Sequence, residues 1–249
     1  MKKAQLILED GTTFEGTAFG ANTSKAGEVV FATGMVGYDL SLTDPSYAGQ
    51  ILTFTYPLIG NWGVPPKSEL ESYKIHVSGL IISDLTTKPS HWQSEKTLDA
   101  WLKEEGIPAI YGIDTRMLTQ KLREKGVMLG KIVIGGDVEI FDPNLTNLVA
   151  EVSTEKVKKH GSGKIKVGLL NCGAKQNIIR CLTKRGATVY ELPHNYDPFK
   201  NNLQIDGLMI SNGPGDPKMA KESIEIIKKS MKLKLPTFGI CLGNQLLAL

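Results

Sequence analysis

The sequence predicts two domains, an α+β domain followed by an α/β domain with a parallel sheet. Three observations indicate this division. Residues 1–150 contain mainly short apolar runs typical of strands. Residues 165–249 instead alternate regularly between strand and helix patterns, as in βαβ units. The charge also changes, since residues 1–164 carry 17 basic and 20 acidic side chains whereas residues 165–249 carry 12 and 6.

The segment between these regions, residues 151–164, is predicted as a linker. From Lys156 to Lys164 it is basic, contains glycine and serine, and lacks a hydrophobic period. We therefore expect one domain over residues 1–150 and a second over residues 165–249.

Strands of the first domain are predicted from its apolar runs. Leu6–Leu8 and Phe14–Phe19 flank Asp10 and Gly11, a pair that favours a tight primed turn and hence a hairpin. Four further strands are predicted at Val29–Phe31, Ile51–Tyr56, Val77–Ile82 and Met128–Ile134.

Two helices are predicted between these strands. The first covers Glu95–Glu105 with Ser94 as its N-cap, and the second covers Thr115–Lys125 with Asp114 as its N-cap. Each is followed by a glycine, which commonly ends a helix.

The second domain is predicted to alternate strand and helix along the chain. Strands are expected at Ile165–Leu170, Thr188–Leu192, Gly207–Ser211 and Thr237–Ile240, and helices at Ala174–Arg185 and Met219–Lys232. The later helix is expected to bury a face made of Ala220, Ile224, Ile227 and Met231, with its lysines outward.

Composition excludes several classes of protein. No run approaches the roughly 20 apolar residues of a membrane span, and the acidic Glu9 and Asp10 do not fit a signal peptide, so a cytoplasmic protein is expected. The three cysteines lack metal-ligand spacing, which predicts neither a disulfide framework nor a metal site. The lysines of residues 218–234 interleave with the apolar face of a helix, so no nucleic-acid binding is predicted.

A cysteine between two glycines marks a candidate catalytic turn. In Gly239–Gly243, Cys241 lies where a buried strand meets an apolar helical start, the arrangement of a nucleophile elbow. The glycines permit a sharp turn that exposes the thiol at the carboxyl end of the strand. The alternative interpretation is a structural cysteine buried in the turn.

A second loop is expected at the same edge of the sheet. Ser211–Pro217 follows another buried strand, and ligands of open α/β sheets bind beyond the carboxyl ends of the strands. Its Gly-Pro-Gly turn could present a backbone N–H to an anionic oxygen. The alternative interpretation is a tight turn without further function.

These two segments resemble class I glutamine amidotransferases, and the likeness continues through Ala248. Other segments resemble the small, glutamine-hydrolysing subunit of carbamoyl-phosphate synthase, namely Phe31–Tyr38, Leu42–Tyr47, Gly49–Thr53, Thr55–Pro57, Asp114–Arg116 and Gly173–Asn177. The likeness runs from Leu6 to Leu249. Its N-terminal part is specific, because other amidotransferases of this class lack that domain.

The resemblance implies that Cys241 attacks the side-chain amide of L-glutamine and forms a glutamyl thioester. It further implies that the backbone N–H groups of Gly213 and Leu242 form the oxyanion hole. The glutamine contacts that it implies are Ser46, Gly213, Gly215, Leu242 and Gln245. Ser46 lies in the first domain, so this site would span both domains, although Ser46 also fits a simple Asp-Pro-Ser-Tyr turn.

The resemblance also implies a partner. Ammonia would pass to a large subunit that uses ATP, Mg and bicarbonate to make carbamoyl phosphate for arginine and pyrimidine biosynthesis. The small chain itself is expected to bind no cofactor and no metal, and to form a heterodimer with the large subunit.

Two departures from the family pattern concern the catalytic groups. Asn244 stands where the family commonly has histidine, a residue that is not its general base. The family's general base, a histidine oriented by a glutamate, lies well after the cysteine, whereas this sequence ends at Leu249 inside an apolar run. The histidine base and the glutamate that orients it are therefore expected to be absent, and the second domain is expected to be incomplete. The four histidines, His76, His91, His160 and His194, match no part of the base's pattern.

Two alternatives to an active glutaminase follow. The chain could be truncated and inactive, retaining only its binding to the large subunit. It could also be another class I amidotransferase, serving guanylate or anthranilate synthesis, but the first domain disfavours this.

Overall fold

The computed structural model describes residues 2–249, which divide into two compact units. The first unit ends at Pro143, and the second spans Asn144–Leu249. Within residues 2–249, no helix combines the length and the apolar character that crossing a bilayer requires.

The first unit contains strands and three helices of at least five residues. The strands are β1 Lys3–Leu8, β2 Thr13–Gly20, β3 Lys25–Ala32, β4 Gln50–Phe54, β5 Leu58–Ile59, β6 Gly79–Ile81, β7 Asp84–Leu85, β8 Pro108–Tyr111 and β9 Met128–Val133. The helices are α1 Tyr38–Leu42, α2 Leu98–Glu104 and α3 Thr115–Lys125. Short 3-10 turns lie at Pro45–Tyr47 and Lys67–Glu69.

Seven of these strands close into a barrel in the order β1-β2-β8-β6-β4-β3-β9. Neighbours run parallel from β3 through β4 and β6 to β8 and antiparallel elsewhere. The four apolar runs predicted as strands are confirmed as β3, β4, β6 and β9. The sequence patterns do not predict the barrel strand β8, a run of only four residues that begins at Pro108.

Strand alternation divides the buried apolar residues of the first unit into separate clusters. On β4, Ile51 packs in one cluster and Leu52 in the other, and both are fully buried. On β8, Ala109 and Ile110 divide in the same way. Successive side chains on a strand point to opposite faces, so these strands are continuous apolar runs because both faces are covered.

The predicted hairpin is formed by β1 and β2, but its turn differs from the prediction. The N–H of Gly11 donates to the carbonyl of Leu8, and Gly11 alone in the turn has a positive φ, of 83°. A primed two-residue turn requires positive φ at its central residues, so this is an ordinary turn followed by a left-handed glycine.

The helix predicted over Thr115–Lys125 is confirmed as α3, where the Asp114 carboxylate accepts a hydrogen bond from the N–H of Met117. The other predicted helix starts later than expected, because α2 begins at Leu98 with Thr97 as its N-cap. The preceding residues are extended, since Lys96 forms a β-bridge with Val64. Pairing with another segment therefore prevents the earlier start.

The second unit is built around a five-stranded sheet. Its strands are β10 Lys158–His160, β11 Ile165–Asn171, β12 Ala187–Pro193, β13 Gly207–Ile210 and β14 Thr237–Gly239, in the order β10-β12-β11-β13-β14. Its helices are α4 Leu148–Val152, α5 Gln176–Lys184, α6 Lys221–Lys232 and α7 Leu242–Leu247, with a 3-10 turn at Pro217–Met219. Strands β12, β11, β13 and β14 are parallel, which confirms the predicted βαβ winding.

The segment predicted as a linker, residues 151–164, is instead part of the second unit. Its strand β10 pairs antiparallel with β12, so the sheet is mixed rather than wholly parallel. A Cβ at Gly163 would overlap the backbone of Gly186, so this glycine permits close packing against the start of β12. The lysines and glycines that suggest a linker therefore lie in the edge strand β10 and in the segment after it that packs closely against Gly186.

The buried face of α6 is also rotated from the prediction. Ile227 is buried as expected, but Met231 is 58% exposed, and the other buried helix residues are Ser223, Ile226 and Ser230. The Ser223 hydroxyl donates to the carbonyl of His194, which satisfies a polar group in the interior. Hydrophobic periodicity does not detect buried serines of this kind.

We predict that His76 makes the first unit less stable in acid. Burial, aided by the charge of Lys74, lowers the pKa of His76 from 6.5 to about 4. The unfolded chain then binds the proton more readily, so the free energy of unfolding should fall as the pH decreases from 6.5 to about 4. Tryptophan fluorescence during urea titration reports this unit selectively, because Trp62, Trp92 and Trp101 all lie in it.

The variant His76→Gln should show a smaller loss of stability over this pH range. The matched control is His91→Gln, which changes an exposed histidine of the same unit and should keep the original pH dependence. Identical pH profiles for His76→Gln and the unaltered chain would contradict the assignment.

Candidate active site

Cys241 lies at a sharp turn between β14 and α7. Its backbone has φ 52° and ψ −110°, a conformation that residues other than glycine rarely adopt. Such a conformation costs about 1–3 kcal/mol and persists only where the surrounding structure enforces it. The side chain of Cys241 is exposed. The turn therefore presents a thiol to solvent beyond the carboxyl end of a parallel strand.

Two glycines allow the strand and the helix to approach closely at this turn. A Cβ at Gly239 would overlap the backbone of Gly243, and a Cβ at Gly243 would overlap the carbonyl of Ile210 on β13. The N–H of Ile240 donates to the Ile210 carbonyl, and the N–H of Gly243 donates to the Ile240 carbonyl. The Gly-x-Cys-x-Gly spacing is therefore a steric requirement of this turn.

The loop that follows β13 lies beside the turn. A Cβ at Gly213 would overlap the carbonyl of Cys172 and would lie 2.8 Å from Cδ2 of Leu242. The fully buried hydroxyl of Ser211 accepts a hydrogen bond from the N–H of Cys172 and donates to the carbonyl of Asn212. The loop is thus held against the carboxyl end of β11 on one side and α7 on the other.

Gly213 and Leu242 offer two backbone donors near the thiol. Neither N–H has a hydrogen-bond partner within residues 2–249. Leu242 is the first residue of α7, where backbone N–H groups have no carbonyl partner in the helix. Gly213 thus lies against Leu242, which directly follows Cys241, and the roles that the family resemblance implies for these three residues stay predictions.

Two known protein families match separate parts of the chain. The family described as "Carbamoyl-phosphate synthase small chain, CPSase domain" matches residues 6–132, about half of the chain. The family described as "Glutamine amidotransferase class-I" matches residues 168–249. The chain belongs to the carbamoyl-phosphate synthase small-chain family. The match to the amidotransferase family lies within the second unit.

Individual relatives are similar over almost all of the chain. The multifunctional protein CAD of Squalus acanthias is 51% identical over 99% of this chain, and the mitochondrial carbamoyl-phosphate synthase [ammonia] of Homo sapiens is 48% identical over 97%. The arginine-specific small chain of Neurospora crassa is 46% identical over 99%. The chain spans 12%, 17% and 58% of the lengths of these relatives, respectively.

The remaining predicted glutamine contacts are distributed over both units. Gly215 lies in the loop after β13 with φ 80°, and Gln245 is exposed on α7, where its N–H donates to the carbonyl of Cys241. Ser46 belongs to the first unit, on the 3-10 turn Pro45–Tyr47, and its N–H donates to the Asp44 carboxylate. This capping bond agrees with the simple turn that the sequence also allows. The binding of glutamine by Ser46 stays a prediction.

The histidines of the second unit belong to strands far from Cys241 in the sheet. His160 lies on β10, four strands from β14, and His194 follows β12, three strands from β14. At about 4.8 Å between neighbouring strands, these strand positions are about 19 and 14 Å from β14. Burial lowers the pKa of His194. Its backbone N–H donates to the hydroxyl of Ser153, and its carbonyl accepts from the hydroxyl of Ser223. This geometry does not support either histidine as a base for Cys241.

The sequence patterns do not predict a buried polar network that joins β10, β12 and β11, at the end of the sheet away from β14. Glu191 on β12 is buried and lies 2.9 Å from the Nε2 atom of His160, while its other oxygen accepts from the Asn171 amide. The Asn171 side-chain oxygen in turn accepts from the N–H groups of Gly173 and Ala174. A glutamate inside the apolar pattern of β12 is the signal that could have indicated it.

The three cysteines differ in environment. Cys172 is completely buried, and burial raises the pKa of its thiol to about 12. Cys181 is half-buried on α5, and Cys241 is exposed. Because the thiolate is the reactive form, Cys172 is the least reactive of the three.

We predict that a thiol reagent such as Ellman's reagent distinguishes these cysteines. In a Cys181→Ser background at pH 8, Cys241 should react in the folded chain, whereas Cys172 should react only on unfolding. A pKa of about 12 leaves only on the order of one Cys172 thiol in ten thousand ionised at that pH. The measurement is the absorbance of the released thiolate with and without denaturant.

Two matched variants distinguish the reaction of Cys241 from that of Cys172. Changing Cys241→Ser should remove the reaction of the folded chain, and Cys172→Ser should leave it unchanged. A rapid reaction that survives in Cys241→Ser would contradict the assigned exposures.

Proposed function

We propose that the chain is the glutamine amidotransferase component of a carbamoyl-phosphate synthase and that Cys241 is its nucleophile. The observation that carries the proposal is the strained, exposed position of Cys241 between β14 and α7, with two unpartnered N–H groups beside it. Family membership alone does not decide the source of nitrogen, because one relative is named for ammonia. The nucleophile elbow is the argument for glutamine.

In the proposed reaction, the Sγ atom of Cys241 attacks the side-chain carboxamide carbon of L-glutamine. The carbonyl oxygen gains negative charge and is stabilised by the N–H groups of Gly213 and Leu242, a contribution of about 3–4 kcal/mol for each donor in comparable sites. The C–N bond then breaks, and ammonia leaves with a proton from a general acid. Water hydrolyses the resulting thioester, which releases glutamate and restores the thiol.

The pattern of glycines supports this role over a purely structural one. A buried structural cysteine needs no strained backbone, whereas an elbow needs both the strain and the close approach at Gly239 and Gly243. Gly215 and Gln245 lie on the loop and the helix that flank the thiol, where they would contact the bound glutamine. That Ser46 also contacts glutamine is the part of the proposal that rests on the family resemblance alone.

The product ammonia would pass to a large synthetase subunit, which supplies the ATP, Mg and bicarbonate chemistry of carbamoyl phosphate synthesis. Arginine biosynthesis is supported by the name of the arginine-specific relative, and pyrimidine biosynthesis by the likeness to CAD. A cytoplasmic location and a heterodimer with the large subunit are parts of the same proposal.

We predict that Cys241→Ser separates the two nitrogen sources in the holoenzyme that contains this sequence. Glutamine-dependent synthesis of carbamoyl phosphate should fall at least about a thousandfold, because a serine hydroxyl is far less acidic than a thiol and is a much weaker nucleophile at neutral pH. Synthesis from free ammonia should be unchanged, since it bypasses the thiol. Both rates are measured from carbamoyl phosphate formed with saturating ATP and bicarbonate.

The control is Cys181→Ser, which should leave both rates unchanged. Equal loss of glutamine-dependent and ammonia-dependent synthesis in Cys241→Ser would refute the role of the thiol as the nucleophile for glutamine.

A second candidate function is a non-catalytic module that binds the large subunit. The positions of His160 and His194 favour it, because neither histidine is placed to act as a base for Cys241.

We predict that the 249-residue chain alone releases ammonia from glutamine at least about a hundredfold more slowly than the Saccharomyces cerevisiae small chain. The reason is that a positioned acid–base group contributes about a hundredfold or more to the rate of such reactions. Added imidazole should partly restore the rate. Ammonia is measured with a coupled dehydrogenase assay.

Undiminished release by the chain alone would show that it contains a working base, and His160→Ala and His194→Ala would then identify it. Slow release that imidazole does not raise, with binding to the large subunit retained, would favour the non-catalytic module.

A further inference from the structure

Three segments that carry the family resemblance meet at one cavity that glutamine hydrolysis does not use. Thr33 comes from Phe31–Tyr38, Thr55 and Pro57 are the ends of the segment Thr55–Pro57, and Asp114 to Arg116 lie at the start of α3. The cavity lies within the first unit and has a volume of about 560 Å³. This is the size of a pocket for a small organic molecule.

The wall formed by α3 is cationic. Arg116 and Arg123 both line the cavity and are seven residues apart, so two turns of the helix place them on the same face. Neither guanidinium has a carboxylate partner within residues 2–249, whereas Lys121 on the same helix pairs with Asp10 at 2.6 Å. Two unpaired guanidinium groups at one cavity therefore remain available to a ligand.

The one carboxylate in the wall is already engaged. Asp114 accepts a hydrogen bond from the N–H of Met117 at 2.8 Å and so acts as the N-cap of α3. Gln120, between the two arginines, adds a carboxamide that can donate to the same ligand. Guanidinium groups bind carboxylate and phosphate oxygens through paired N–H donors, which fits an oxyanion in this cavity.

We propose that this cavity binds a small molecule bearing an oxyanion, either a phosphate or a carboxylate, through Arg116 and Arg123. The site is independent of the proposed glutaminase, because every residue that lines it lies in the first unit and Cys241 lies in the second. Failure of one proposal therefore leaves the other unaffected.

The test is calorimetric titration of the 249-residue chain with inorganic phosphate and, separately, with succinate as a dicarboxylate probe. Saturable binding of either probe with one site per chain is expected. Arg116→Ala or Arg123→Ala should weaken it about tenfold or more, since a hydrogen bond between charged groups is lost. The matched control Lys125→Ala removes one positive charge from the same helix, outside the cavity wall, and should change the affinity little.

A second measurement uses the unaltered chain, so it does not depend on whether a variant folds. Phenylglyoxal modifies accessible arginines, and saturating phosphate or succinate should protect Arg116 and Arg123 while Arg185, in the second unit, stays unprotected in mass spectra of the peptides. Binding of phosphate alone assigns a phosphate ligand, and binding of succinate alone assigns a carboxylate.

Three outcomes would overturn the proposal. One is the absence of binding and protection with both probes at millimolar concentrations. Another is an equal loss of affinity in Lys125→Ala, which would indicate a general positive field rather than a site. The last is loss of large-subunit binding in Arg116→Ala without any anion binding, which would assign the cavity to an acidic side chain of that partner.

Discussion

The second unit depends on close approach between backbone segments that carry no side chain. Gly239, Gly243 and Gly213 lie where any Cβ would overlap a neighbouring main chain. These contacts hold β14, α7 and the loop after β13 together, and they hold the unfavourable backbone of Cys241 in place. The position of Cys241 therefore depends on the absence of side chains at these three glycines, since a Cβ at any of them would force β14, α7 and the loop after β13 apart.

Much of the fold is predictable from local patterns, and the failures share a physical cause. Helix α3 matches its prediction at both ends because its N-cap and its terminal glycine are local signals. The late start of α2 and the existence of β10 depend on pairing with segments distant in sequence, Val64 and β12. Pairing of this kind leaves no signal in the segment itself, so residues 151–164 resemble a linker.

The same distinction applies to the site. The turn at Cys241 and the glycine loop before Pro217 could be predicted at one edge of the sheet because each directly follows a buried parallel strand, whereas the roles of Gly213 and Leu242 are implied by the family resemblance and stay predictions. Glu191, as a glutamate inside an apolar strand, indicates a buried polar partner, but the identity of that partner could not be predicted, because His160 and Asn171 lie on different strands. The cavity between α3 and the barrel segments likewise becomes visible only when three separate motifs meet.

The position of β14 has a practical consequence for handling the protein. This strand pairs with β13 on one side, and its Phe238 side chain is 63% exposed. Within residues 2–249, β14 has one hydrogen-bonded neighbour, and a strand edge beside an exposed aromatic ring is a template on which another chain can add its own strand. In work with the 249-residue chain, the state of aggregation and the accessibility of the Cys241 thiol should therefore be followed together.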